Sequence, residues 1–294
     1  MTTLDPATRS VDIARSWLFV PGDRADRFDK AAASGADLVV CDLEDAVAPP
    51  GKESARAQVA AWLGGGGSAC VRVNAPGTRW GAGDVAALRA RPGLVAVVVP
   101  QAEDPAALTS VADALDVPVI ALVESALGVH RAHEVAGARG VARLAFGSID
   151  YALDLSCGED EVALLHARSV VVLASRVAGL PAPVDGVTTD LDDGAAAGAA
   201  ALTARRLGFG GKLCIHPRQV GAVNAAMAPS AAEVAQASRI LDAAGGGQAL
   251  RLDGQMVDRP VVDRAREVVR RARLFAVAGS DDAAADASDD GRVS

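Results

Sequence analysis

Short β-branched runs alternate with Ala-rich stretches along most of the chain. The apolar runs fall at Trp17–Val20, Leu38–Leu43, Cys70–Val73, Val95–Val99, Val119–Val123, Leu144–Phe146, Pro183–Val187 and Leu213–Ile215. Between them, segments such as Glu53–Leu63, Pro105–Leu115, Val162–Ala178 and Gly194–Leu207 carry Ala and Leu at i, i+3 and i+4, with Gly or Pro at their ends. The first pattern predicts strands and the second amphipathic helices. Apolar strands separated by one helix each are parallel strands buried on both faces. Eight such units within about 220 residues fit a (β/α)8 TIM barrel, whose usual size is about 250 residues. The competing open, doubly wound sheet needs a Gly-rich phosphate turn after its first strand. Phe19-Val20-Pro21-Gly22-Asp23 lacks one, and Gly64–Gly67 follows a helix as a flexible turn.

The pattern changes beyond the eighth strand. Ala231–Ala244 reads as a helix ended by Gly245–Gly247, and Ala249–Val257 as a small hairpin turning at Asp253-Gly254. Val261–Leu274 reads as a last amphipathic helix with Arg264, Arg266, Arg270 and Arg271 on its wet side. The expected organisation is an N-terminal arm over 1–14, a barrel over 15–228, a small helical and hairpin extension over 229–278, and a disordered acidic tail over 279–294.

Composition narrows the function. Half of the residues are hydrophobic, enough for a sizeable core. A net charge of −8 argues against a nucleic-acid partner, which calls for clustered Lys and Arg. Only Lys30, Lys52 and Lys212 are lysines; the preference for Arg reads as compositional, and these three become positions to locate. Cys41, Cys70, Cys157 and Cys214 show no metal-type spacing, and three lie in apolar runs, as buried reduced thiols would. The N-terminus, with Asp5, Arg9 and Asp12, lacks the apolar core of a signal peptide. No apolar run approaches the ~18 residues of a membrane span. A soluble, cytoplasmic protein is expected.

In a parallel barrel the carboxyl ends of the strands converge on one mouth, where the chemistry sits. The strand ends deliver Asp23 and Arg24, then Asp42, Glu44 and Asp45, then Arg72 and Asn74, Gln101, Glu124, Asp150, Asp185 and His216. Carboxylates at this density repel unless a cation sits among them. Hard oxygen donors without a Cys or His cluster favour Mg2+ over zinc. Glu124 and Asp150 come from adjacent strands and suit one ion, although Asp150 also suits a helix cap. Arg72 reads either as a clamp on a substrate carboxylate or as an internal salt bridge to strand-2 carboxylates. Asp42, Glu44 and Asp45 read as a second layer orienting Arg72 and metal-bound water. His130 and His133 share one predicted helix, and His166 lies on another; packing or surface roles suit all three.

The segments SWLFVPGDRADRFDKAAASGAD, CDLEDAVAP, VRVNAPGT, ALVESALGV, FGSIDYALDL, GKLCIHPRQV and GQMVDRP resemble, in combination, the citrate lyase β-subunit-like family. That family lies within the wider HpcH/HpaI aldolase and citrate lyase superfamily, and the likeness spans about Arg15 to Leu274. The resemblance implies Glu124 and Asp150 as Mg2+ ligands and Arg72 as the substrate-carboxylate arginine. It implies Phe19, Arg24 and Lys30 as contacts to a CoA thioester and its phosphates. It also implies that Asp258 is a lid carboxylate serving a neighbouring subunit's site as general acid or base, so that the protein is a homotrimer or hexamer. The implied activity is cleavage of a β-hydroxyacyl-CoA, such as citramalyl-CoA, malyl-CoA or citryl-CoA, into acetyl-CoA and a 2-oxo acid, or the reverse Claisen-type condensation. Alternatives are a citrate lyase β subunit acting on citryl-acyl carrier protein within a complex, and a malate synthase-like condensation with thioester hydrolysis.

Overall fold

The computed structural model describes residues 11–191, 193–244, 250–252 and 255–286. The chain divides into two compact units, Met1–Met227 and Ala228–Ser294.

In the first unit, strands β1 Ser16–Pro21, β2 Leu38–Asp42, β3 Ala69–Arg72, β4 Leu94–Val99, β5 Val119–Val123, β6 Val141–Phe146, β7 Val184–Asp185 and β8 Gly211–Cys214 close into a barrel in sequence order. Every pairing is parallel, and β1 meets β8. The helices are α1 Phe28–Ala32, α2 Lys52–Gly64, α3 Gly81–Leu88, α4 Pro105–Leu115, α5 Ala126–His130, α6 Ala132–Ala136, α7 Ser148–Leu155, α8 Glu161–Val177, α9 Gly194–Leu207 and α10 Pro217–Met227. The predicted TIM barrel is therefore the fold. His130 and His133, expected on one helix, lie on two short ones that meet at Arg131.

Side chains alternate across the strands with period two. Trp17, Val40, Cys70, Val98, Leu122, Val184 and Leu213 fill the barrel, while Leu18, Val39, Cys41, Val71 and Val97 pack under the helices. Burial pushes the thiols of Cys41 and Cys214 up to about 12, making them inert packing groups. The same alternation carries Asp42, Arg72 and Glu124 inward at the upper ends of β2, β3 and β5. Asp42 and Arg72 are partners in register. It also turns Asp185 away from the mouth, where sequence order had put it. Asp185 is buried outside the barrel in a two-pronged pair with Arg168 (both 3.0 Å), with Lys212 3.5 Å away. β7 is shorter than its apolar run because Pro183 has no N–H to give a ladder and the Gly186 carbonyl instead accepts from Lys212 at 2.6 Å.

In the second unit, α11 Ala231–Ala243 opens with a Ser230/Glu233 capping box. β9 Leu250–Leu252 and β10 Gln255–Val257 then form the expected antiparallel pair. Gly245–Gly247 and the turn Asp253-Gly254 lie outside the described residues. The final helix, α12 Arg259–Asp286, runs past the predicted end at Leu274. Ala283, Ala284 and Ala285 have the highest helix propensity and let it run into the stretch expected to be a tail. Residues 287–294, the rest of that stretch, lie outside the described residues.

The lower end of the barrel is plugged by the arm before β1. Val11 and Ala14 are buried, and the fully buried Arg143 donates to the carbonyls of Val11 (2.8 Å), Ala14 (2.9 Å) and Ala182 (2.7 Å). Arg143→Met takes this donor from all three carbonyls, leaving only that of Ala14 with a bond from Trp17 Nε1 at 3.3 Å, at a cost of about 3 kcal/mol of unfolding free energy. Urea denaturation followed by circular dichroism checks this, and a loss below about 1 kcal/mol contradicts it.

Candidate active site

Arg72 is the centre of the upper mouth. Its Nε and Nη2 donate to the two oxygens of Asp42 at 2.8 and 2.7 Å, a two-pronged pair set by the strand register. Glu44 Oε2 lies 2.9 Å and Asp45 Oδ2 3.4 Å from Nη1. The Phe19 ring lies against the guanidinium, 4.9 Å from centroid to Cζ. Asp42 also accepts from the backbone N–H groups of Glu44 and Ala46 at 2.9 and 3.0 Å, which folds the acidic loop back over the strand end. The internal salt bridge is thus what the fold contains. A guanidinium has five N–H donors, and Asp45 is the exposed, longest partner, so Nη1 is the edge a substrate carboxylate can take over.

Glu124 follows β5 and is 6% exposed. Its Oε1 accepts from the Gln101 N–H at 2.8 Å, while its Oε2 is buried and has no hydrogen-bond partner among the described residues. Gly147, one residue past β6, leaves room beside that oxygen; a Cβ there would lie 2.5 Å from it. Burial pushes the Glu124 carboxyl up to about 8, opposed by the Gln101 N–H and reinforced by Asp150 and Glu44. Asp150, in the first turn of α7, is half-buried, and burial and then the charge of Asp45 raise it too. Burial pushes Glu44 up to about 7 against the pull of Arg72.

A pocket of about 420 Å3 joins these groups, lined by Phe19, Asp42, Asp45, Arg72, Glu124, Ser148 and Asp150 over an apolar floor of Leu122, Val187 and Leu213. A second pocket, of about 480 Å3, is lined by Arg24, Arg27, Lys30 and His216 and shares Phe19, Pro21 and Ile215 with the first. Arg24 is held by Asp26 at 2.9 Å. His216 Nδ1 accepts from the Arg218 N–H at 3.1 Å, a turn role. Asp258 belongs to the other unit, where it precedes α12, is half-buried, and accepts from the Val261 N–H at 3.3 Å.

The donor set fits magnesium. Among the described residues no three His, Cys, Asp or Glu side chains converge to hold a metal alone. Mg2+ keeps several waters and is commonly bound through one or two carboxylates. The orphaned Glu124 oxygen beside Asp150 supplies hard donors of that kind. Two residues named in the sequence take roles that it did not assign. Gln101 takes a left-handed backbone (φ 49°) that aims its N–H at Glu124. Lys52 is buried behind the acidic loop.

Without a bound cation, folded Glu124 holds its proton up to about pH 8, whereas an unfolded glutamate loses it near its ordinary 4.5. The folded state binds the extra proton in this window, so stability falls as pH rises through it. In EDTA, Glu124→Gln flattens that fall in thermal midpoint between pH 5 and 9; an unchanged slope contradicts the assignment.

Comparison with known proteins places this geometry in a family. Residues 15–217 match the HpcH/HpaI aldolase/citrate lyase family, and residues 201–277 a C–C bond lyase of the TIM-barrel fold. The chain is 38% identical over 281 residues to a citrate lyase subunit beta-like protein of Deinococcus radiodurans, covering 87% of this chain and 96% of that one. It is 34% identical over 278 residues to a (3S)-malyl-CoA thioesterase of Cereibacter sphaeroides, covering 90% and 97%. Among solved structures it resembles CitE of Mycobacterium tuberculosis in complex with magnesium, acetoacetate and coenzyme A. There the TM-score is 0.79 at 36% identity, over 88% of this chain and 98% of that one. The chain therefore belongs to the HpcH/HpaI aldolase/citrate lyase family and is a lyase of the citrate lyase β-subunit type.

Proposed function

We propose that the protein is a Mg2+-dependent carbon–carbon lyase that splits a β-hydroxyacyl-CoA into acetyl-CoA and a 2-oxo acid. The observation that carries this reading is the buried, unpartnered Glu124 oxygen facing a pocket shared with Asp150 and Arg72. Glu124 and Asp150 would hold the ion, with Asp42, Glu44 and Asp45 orienting Arg72 and the ion's waters. Bound there, Mg2+ would supply positive charge that stabilises the β-hydroxyl oxygen once it has lost its proton. The magnesium, acetoacetate and coenzyme A held by the tuberculosis relative support this reading.

Arg72 fixes the carboxylate of the acid half through its Nη1 edge, and the apolar floor keeps water from beneath it. The cationic second pocket suits the CoA arm: Arg24 and Lys30 face its phosphates, and Phe19 sits where the two pockets meet. In cleavage the β-hydroxyl gives up its proton, its oxygen becomes the carbonyl of the oxo acid as the C–C electron pair moves onto the thioester, and the resulting enolate carbon takes up a proton. Asp258 of a neighbouring copy is our candidate for that general acid, in a homotrimer or hexamer. Three buried thiols suit a reducing cytoplasm, and no described helix is long and apolar enough to cross a membrane.

A second reading is thioester hydrolysis coupled to condensation, favoured by the likeness to a malyl-CoA thioesterase. In a third, the chain is a citrate lyase β subunit that works on citryl-acyl carrier protein within a complex. Assaying the isolated chain with citramalyl-CoA, malyl-CoA and citryl-CoA separates these. Free CoA and carboxylate products mark the second, and turnover only on the carrier protein the third. Glu124→Gln and Asp150→Asn should each lower Mg2+-dependent turnover by roughly 10^3-fold, about 4 kcal/mol of barrier, with circular dichroism unchanged. Full activity in either variant removes the metal assignment.

A further inference from the structure

Lys52 opens α2, is 6% exposed, and lies behind the acidic loop. Its ammonium donates to the Leu43 carbonyl at 3.0 Å, the Glu44 carbonyl at 2.9 Å and Asn74 Oδ1 at 2.6 Å. Asn74, two residues past Arg72, returns Nδ2 to the Leu43 carbonyl at 2.9 Å and to Asp84 at 2.6 Å. Asp84 in turn accepts from Arg56 at 2.8 Å. The ends of β2 and β3 are therefore clasped twice, on the pocket side by Asp42 and Arg72 and behind it by Lys52 and Asn74. Three acceptors around one nitrogen match the three donors of an ammonium and not a planar guanidinium. In a chain that takes most of its positive charge from arginine, this position requires a lysine.

We infer that Lys52 is a positioning residue for substrate-carboxylate recognition: by holding the Leu43 and Glu44 carbonyls and Asn74, it keeps Glu44 on Arg72 and Arg72 aimed at the acid half of the substrate. The inference rests on the lyase reading of the pocket. Without Lys52, the Glu44 carbonyl and the Asn74 amide oxygen lose this donor, and the Leu43 carbonyl is left with Asn74 Nδ2 alone. The loop then relaxes and the Arg72 edge loses its fixed direction, while Glu124 and Asp150, on β5 and after β6, keep theirs.

The test is calorimetric binding of pyruvate, glyoxylate and oxaloacetate at saturating Mg2+, together with Mg2+ binding alone. It uses the parent, Lys52→Met and Asn74→Ala, each checked for native circular dichroism; Asn74→Ala breaks the clasp from the other side should Lys52→Met fail to fold. Both variants should bind the favoured oxo acid at least about tenfold more weakly while their Mg2+ affinity stays within about twofold. Added to Arg72→Lys, Lys52→Met should weaken oxo-acid binding by less than about twofold more, because the two act as a unit. A folded variant that binds the oxo acid like the parent, loses Mg2+ affinity in step, or adds its full effect to Arg72→Lys overturns the inference and leaves the lyase reading standing. A parent that binds none of the three acids overturns both.

Discussion

The barrel mouth depends on how the charge of Arg72 is shared. The register that opposes Asp42 and Arg72 gives each a full two-pronged partner, and removing one member of such a buried pair commonly costs about 3–5 kcal/mol. Glu44 and Asp45 draw on the same guanidinium from the loop beyond. One cation thus serves three carboxylates and has little left for Glu124, although Glu124 still feels its field. Glu124 and Asp150 are the groups left over, and on the proposed reading this shortfall is where a divalent ion would sit.

Two faces of the barrel use buried cations differently. Inside, Arg72 is reachable from the pocket and keeps an edge to offer a ligand. Outside, Lys52 and Lys212 lie behind the strands with carbonyl oxygens as partners. At the lower end Arg143 ties the incoming arm to the barrel. The stable lower end and the ligand-facing upper end are thus built from the same device, a buried cation bonded to strand-end groups, and differ in whether solvent and ligand can reach it.

Much of this was legible in the sequence. Strands buried on both faces are written as unbroken apolar runs, so all eight appeared, and the polar residue ending each run marked the mouth. Asp185 was misplaced because order along the chain tells where a strand ends but not which way a side chain points. The period-two alternation with Val184 carried that information and puts Asp185 outside. For Lys52 and Gln101 the position was legible but the role was not. The first acts through carbonyls nine and eight residues away and an amide 22 away, and the second through a backbone N–H and a left-handed φ. The final helix outran its predicted end because propensity continues past the point where amphipathic spacing fades.

On the proposed reading, the Glu124 carboxylate exchanges a proton for a cation. Mg2+ titrated at pH 7 into the EDTA-stripped protein, in two buffers of different ionisation heat, measures that exchange directly. With Glu124 held up to about 8, binding should release roughly one proton per ion. Mg2+ binding with no proton release, or no binding at all, would contradict it.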